Sequence, residues 1–222
     1  MSDSSRETPF RLLFSASVLA MALVFVSGRL SADIELPPPA TEGGMGLFEA
    51  LKKRSSAHGG DFSVAEVGLP ELSTVLWAAS GLNRGETGWT VPMAEGLPPY
   101  VKIYVASAEG VHLYDHRAHR LIEISGENVK AGIASQAFVK KASHILIFVA
   151  DPVGLAKLSN KDAATEFADV LTGAMTQNVY LAAAALRLGA RYSHSMRIPE
   201  IKKGLKLEDD LERPVALMML GK

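Results

Sequence analysis

The sequence predicts a chain of mixed class, α/β or α+β, folded around one mixed or antiparallel sheet, and three features carry that prediction. "YVKIYVA", "GVHLYD" and "HRLIEI" follow one another between residues 100 and 124, the first two parted by a turn at Glu109 and Gly110, as in an antiparallel meander. "SHILIFVA" is a continuous apolar run of the kind found in a central strand buried on both faces. From Asp162 to Leu188, the positions Phe167, Leu171, Ala174, Asn178, Leu181, Ala185 and Leu188 recur at three and four residues and mark a long helix. Strands and helices are thus interspersed along one chain.

The first 32 residues stand apart from that pattern. Arg11 precedes "LLFSASVLAMALVFV", which is followed by "SGRLSA" ending on the small residue Ala32. At ~15 residues the run is shorter than the ~20 a helix needs to cross the hydrocarbon core. Residues 1–32 are therefore expected to be a signal peptide of an exported, periplasmic protein, with an uncleaved anchor as the alternative and the only membrane contact. Residues 33–44, containing "ELPPPATEGG", are expected to be a Pro/Gly-rich tether, with the folded domain spanning 45–222.

Within that domain, "GLFEALKKRSS" reads as a short helix with Leu47, Phe48 and Leu51 at helical spacing and basic residues in its last turn. "LPELSTVLWAASGL" reads as a second, with Pro70 in its first turn and Gly81 as its stop. "NRGETGWTVPMAEGLPP" is expected to be a long irregular loop, either a plain surface segment or a pocket wall restrained by Pro92, Pro98 and Pro99. Ser159 with Asp162 resembles a capping box at the start of the long helix. The run Ala182–Ala185 permits close approach of a neighbouring element, and Gln177 and Asn178 need hydrogen-bond partners if buried. "RPVALMMLG" is a final buried strand.

Composition narrows the chemistry. A chain of 222 residues suits one large domain, and a formal net charge of −1 gives no electrostatic case for a nucleic-acid partner, leaving small molecules or proteins. With no cysteine, disulfides, thiolate metal sites and cysteine nucleophiles are excluded. "HLYDHRAH" gathers His112, His116 and His119, but no metal-ligand spacing is matched, so no metal is expected. No G-x-S-x-G elbow supports a serine hydrolase. "KKRSS" combines cations with hydroxyls, which suits either a phosphate or a solvated helix end.

In order, "LKKRSS", "LSTVLWAASGLNR", "TVPMAEGLPPYVKIYV", "GVHLYDHRAHRL" and "GAMTQNVYLAAAALRLG" resemble the nitroreductase-like flavoprotein superfamily, particularly its azoline-oxidase-type dehydrogenase branch. The resemblance implies an α+β three-layer fold, a mostly antiparallel central sheet flanked by helices, and an intertwined homodimer with FMN at its interface acting on a small-molecule substrate. By position it implies phosphate and ribityl contacts at Lys53, Arg54 and Ser55, a flavin-edge segment at Pro92, Met93 and Ala94, and a helix near cofactor and partner at Gly173, Gln177 and Asn178. Hydride chemistry there belongs to the flavin, and no side chain is singled out as catalytic.

Four positions depart from the family pattern. Ala57 stands for a basic residue, Met93 for a serine, Trp89 for an arginine and Leu171 for an acid, while His58 and Lys222 are the candidates to compensate. Loss of two charge-assisted phosphate bonds, at about 1.5–3 kcal/mol each, weakens binding roughly a hundredfold or more. Two readings follow: an exported FMN-dependent oxidoreductase acting on a nitro, quinone or dehydrogenation substrate, and a flavin-free relative serving as a binding or scaffold protein in the cell envelope.

Overall fold

The computed structural model of the chain describes residues 32–58, 61–63, 65–207 and 211–222. Along the chain run β1 (Ile34–Glu35), α1 (Leu47–Lys53), α2 (Leu69–Ser80), the hairpin β2 (Leu82–Arg84) and β3 (Gly88–Trp89), β4 (Val101–Ala106), β5 (Val111–Asp115), β6 (Arg120–Ser125), β7 (His144–Ala150), α3 (Pro152–Leu155), α4 (Ala164–Ala185), β8 (Gly189–Ser193), α5 (Ile198–Leu205) and β9 (Arg213–Gly221). Seven strands form one sheet in the order β1-β6-β5-β4-β7-β9-β8, and every pairing in it is antiparallel. The class is α+β.

Strand β7 sits between β4 and β9, and Ile145 through Val149 are all 0% exposed. Successive side chains point to opposite faces. Leu146 and Phe148 therefore join a core with Leu72 and Leu76 of α2 and Met175 and Val179 of α4, while Ile145, Ile147 and Val149 join a second core with Ile201 and Leu205 of α5. This two-sided burial is why the segment reads as unbroken hydrophobicity. Strand β9 repeats the pattern, with a register shift opposite Phe148 and Val149. Pro214 lies at that irregularity, beyond the end of the pairing with β8, where a missing N–H breaks no ladder bond. Near the other end of β9, a Cβ on Gly221 would come within 2.5 Å of the Phe62 ring, so close ring-to-backbone packing requires glycine there.

The long helix differs in phase from its expected stripe. Its buried face is Ala168, Leu171, Thr172, Met175, Thr176, Val179, Tyr180 and Ala183. Of the expected positions, Phe167, Ala174, Asn178, Leu181 and Ala185 are only half-buried. Thr172 and Thr176 hide the true face from a hydropathy pattern, because each hydroxyl is satisfied inside the helix by donating to the Ala168 and Gly173 carbonyls (2.8 and 3.0 Å). The expected capping box does not form: Ser159 instead binds the Glu95 carboxylate through both its backbone N–H and its hydroxyl. Strand β8 and α5 escaped the sequence pattern because each is short, and α5 offers only Ile201 and Leu205 as buried anchors.

The stretch expected to be a tether is packed on the domain. Ile34 pairs with Leu121 of β6, and Leu36 is buried. A hydroxyl relay holds the following residues down. Ser73 donates to the Pro37 carbonyl, so His119 Nε2, 2.8 Å away, donates to Ser73, and Nδ1 accepts from Tyr114 Oη at 2.8 Å. The Ala40 N–H adds a bond to Thr74 Oγ1. The loop from 83 to 99 also carries structure, since it folds partly as the β2–β3 hairpin. Apart from Ala32, the leader expected over 1–32 lies outside the described residues.

His116 binds Ser80 Oγ through Nδ1 at 2.6 Å, while its Nε2 is buried without a partner. Burial pushes its pKa down to about 4, so the unfolded chain takes up the proton first as pH falls. Its contribution to stability is full above about pH 6.5 and is lost between there and about 4, up to about 3 kcal/mol. Urea denaturation is expected to show a lower midpoint at pH 5 than at pH 7.5, and a shallower pH slope in His116→Asn. An unchanged slope in that variant would assign the acid sensitivity elsewhere.

Candidate functional site

Helix α1 ends at Lys53, and the chain from Arg54 then crosses onto β8, where Ala57 N–H donates to the Ala190 carbonyl (2.9 Å). The Tyr180 hydroxyl is the hub of this crossing. It accepts from Tyr192 N–H at 2.8 Å and shares a hydrogen bond with Ser56 Oγ at 2.7 Å, tying α4, β8 and the basic segment together. Arg54 stacks on the Tyr180 ring with its guanidinium carbon 5.1 Å from the centroid. Lys53 pairs with Glu49 at 2.7 Å, and the Glu49 carboxyl is held below its usual range first by Lys53 and then by Arg187. Lys53, Arg54 and Arg187 thus collect where the C-terminal ends of α1 and α4 meet, positions at which helix dipoles favour cations.

Lys53 and Ser55 share the wall of a cavity of about 50 Å³ with Ala57, Tyr180, Ala183 and Ala184. That volume is a small fraction of the several hundred Å³ typical of a cofactor pocket, so a nucleotide held by these residues would extend beyond this cavity. Ala57 is buried, and its carbonyl accepts from Arg191 Nη1 at 2.9 Å. A cation therefore stands at position 57 although residue 57 is not one. Of the expected compensators, Lys222 Nζ is 3.1 Å from Glu71 of α2, and the His58 backbone N–H donates to the Asp61 carboxylate.

Pro92, Met93 and Ala94 lie on another flank of α4. Asn178 Nδ2 donates to the carbonyls of Ala78 (2.9 Å) and Thr90 (3.3 Å), and Thr90 Oγ1 donates to the Trp77 carbonyl (3.0 Å). These bonds join α4, the end of α2 and the residue two before Pro92. Pro92 is exposed, whereas Met93 and Ala94 pack against the core. Among the described residues, the cavity lined by Lys53 and Ser55 includes none of Pro92, Met93 and Ala94.

Gly173 and Gln177 line up with Val170 on the exposed face of α4. Gln177 therefore needs no buried partner, unlike Asn178. A Cβ on Gly173 would meet nothing within 4 Å. Leu47, Phe48 and Leu51 of α1 are 61%, 85% and 46% exposed, so an apolar surface accompanies this face. Between α1, α2, α4 and residues 40–45 lies a cavity of about 600 Å³, walled by Leu47, Trp77, Leu181, Ala182 and Ala185, with Asn178 and Thr90 as polar groups. Residue patterning missed it, although the alanine run that opens it was visible as a signal of close approach.

The departures from the family pattern are mostly demands of burial. Leu171 is 2% and Trp89 6% exposed, and Arg117 lies over the Trp89 ring at 5.7 Å. His116 and His119 of "HLYDHRAH" serve separate partners, and among the described residues no three His, Cys, Asp or Glu side chains gather for a metal.

The model of the nitroreductase family matches residues 52–222, which takes in the basic segment, α4 and the whole sheet except β1. The chain belongs to the nitroreductase family. It is 30% identical over 185 residues to a Methanocaldococcus jannaschii protein provisionally named a nitroreductase, covering 79% of this chain and 90% of that protein. A crystal structure of a protein from Ralstonia eutropha JMP134, named in the same provisional way, superposes with a TM-score of 0.79 at 30% identity, over 88% of this chain and 91% of that one. The NADPH:FMN oxidoreductase of Vibrio harveyi complexed with NAD+ shares the fold, with a TM-score of 0.54 at 18% identity over 79% and 67% of the two chains.

Removing the Tyr180 hydroxyl takes away one hydrogen bond from Ser56 and one from the Tyr192 N–H. Tyr180→Phe is expected to cost about 1–3 kcal/mol in urea denaturation, with faster amide exchange at residue 192. Wild-type exchange at that amide would show that the hub does not fix the basic segment.

Proposed function

We propose that this nitroreductase-family chain is an exported FMN-dependent oxidoreductase acting on a small organic substrate of nitro, quinone or dehydrogenation type, with the flavin held where two copies of the chain meet. The observation that carries the reading is the Tyr180-anchored segment Lys53–Arg54–Ser55 beside an open helix face bearing Gly173. The two cations neutralise a phosphate, Ser55 offers it a hydroxyl, and Arg191 supplies a charge at position 57. When bound, the flavin supplies hydride transfer between donor and acceptor.

The chain's own residues do the positioning. Asn178 and Thr90 restrain Pro92–Ala94 as a flat edge, and the cavity lined by Trp77, Leu181 and Ala185 offers an apolar seat for an organic molecule. The apolar surface of Leu47, Phe48 and Leu51 beside α4 supports pairing with a second copy. The Vibrio harveyi enzyme of this fold is an NADPH:FMN oxidoreductase, which favours the same cofactor here. The leader pattern of residues 1–32 supports export. Outside the cytoplasm no nicotinamide pool is at hand, so the donor is a protein or the substrate itself.

The flavin-free reading rested on Ala57, Trp89, Met93 and Leu171. Burial of Trp89 and Leu171 in the chain's own core accounts for two of these without loss of a cofactor. Purified protein mixed with FMN and desalted is expected to keep its visible flavin absorbance. In Lys53→Ala/Arg54→Ala, two lost charge-assisted bonds should weaken binding about a hundredfold or more. Absence of retained flavin at micromolar wild-type protein would overturn the enzyme reading in favour of a scaffold.

A further inference from the structure

A separate cavity of about 560 Å³ opens at the N-terminal end of α2 and shares no lining residue with the cavities beside α1 and α4. Part of its lining is apolar, contributed by Leu72 of α2, Val105 of β4 and Leu121 of β6. Another part is rich in nitrogen. His112 lies in the wall, only 3% exposed, and its Nε2 is buried without a hydrogen-bond partner among the described residues. His144 spends Nδ1 on Ser143 Oγ at 3.1 Å, and its other ring nitrogen makes no hydrogen bond among the described residues. Lys130 Nζ donates to the carbonyls of Ala142 (3.0 Å) and Ser143 (3.2 Å), while Lys140 and Lys141 stand exposed in the lining.

The charge of this lining is not balanced. Three lysines face Glu66 and Glu109, an excess of one positive charge, and Glu109 is engaged by the Ser107 hydroxyl at 2.8 Å. Burial lowers the pKa of His112 and brings that of His144 down to about 4, so at neutral pH both rings are uncharged and the lysines carry the field. A buried ring nitrogen without a partner is costly to maintain, and a ligand that partners it recovers that cost. An apolar wall, unused imidazole nitrogens and a single excess positive charge together complement a monoanion with a hydrocarbon body.

We propose that this cavity binds a small amphipathic carboxylate, its hydrocarbon against Leu72, Val105 and Leu121 and its carboxylate toward His144, Lys130 and the exposed lysine pair. The site is independent of the flavin reading, because it uses none of the same residues. No chemistry is assigned to it: no nucleophile or acid–base pair is arranged against a scissile group, and binding is its whole role.

Calorimetric titration of the full chain with hexanoate tests this, with 1-hexanol as the neutral counterpart and inorganic phosphate as a compact anion. Hexanoate is expected to bind once per chain, about tenfold or more tighter than either control. Lys140→Ala/Lys141→Ala, both at exposed positions, should weaken hexanoate about tenfold and leave hexanol unchanged. Ala108→Trp, exposed in the cavity lining, should block both. Hexanoate binding no tighter than hexanol, insensitive to the double lysine variant, or competitive with FMN would overturn the proposal. Failure of the chain to hold FMN would leave these outcomes unchanged, so the two proposals fail separately.

Discussion

Two-sided burial of β7 is the constraint from which the rest of the molecule follows. A strand with Leu146 and Phe148 on one face and Ile145, Ile147 and Val149 on the other, all out of solvent, has to be covered by a layer on each side. On one side α2 and α4 supply it. On the other, α5 and the segment containing Ile133 and Val139 do so. At about 25 cal/mol per Å² of apolar surface, these two cores are the dominant favourable term, and no single polar contact approaches them. The candidate functional face is what remains of α4 once its core stripe is committed: the exposed line through Val170, Gly173 and Gln177.

Polar contacts decide where the site-bearing loops go. Three hydroxyl or amide hubs do most of this: Tyr180 fixes residues 54–57, Asn178 fixes Thr90 ahead of Pro92, and the Tyr114–His119–Ser73 relay fixes residues 34–40. Each bond contributes only about 1 kcal/mol net, but a buried member left without its partner loses more than that. The arrangement places a cationic, hydroxyl-bearing segment and a proline-restrained edge on opposite flanks of one helix. A small-residue face lies between them.

Much of this was legible in the sequence. The meander, β7, β9 and both main helices follow from periodicity and stop signals, because Val101–Ala106, Ile145–Ala150 and Leu69–Ser80 have strong patterns of their own. The phase of α4 was not legible: threonines that satisfy themselves inside the helix look polar in sequence and behave as core. Nor were residues 34–40, where "PPPA" reads as a breaker while the Pro37 carbonyl finds Ser73 and the Ala40 N–H finds Thr74. Resemblance singles out Lys53, Arg54 and Ser55 as candidates, but Arg191 and Tyr180 become visible only through contacts across more than ten residues, which no local pattern reports.

On the proposed reading, a site split between two flanks of α4 in one chain is completed when a second copy meets it. Flavin binding and self-association are then linked, each strengthening the other by the same factor. Sedimentation velocity across a dilution series, with and without saturating FMN, tests that linkage directly. The account predicts that FMN shifts the chain toward a dimer carrying one flavin per subunit. A monomer that binds FMN with no change in its association constant would contradict it.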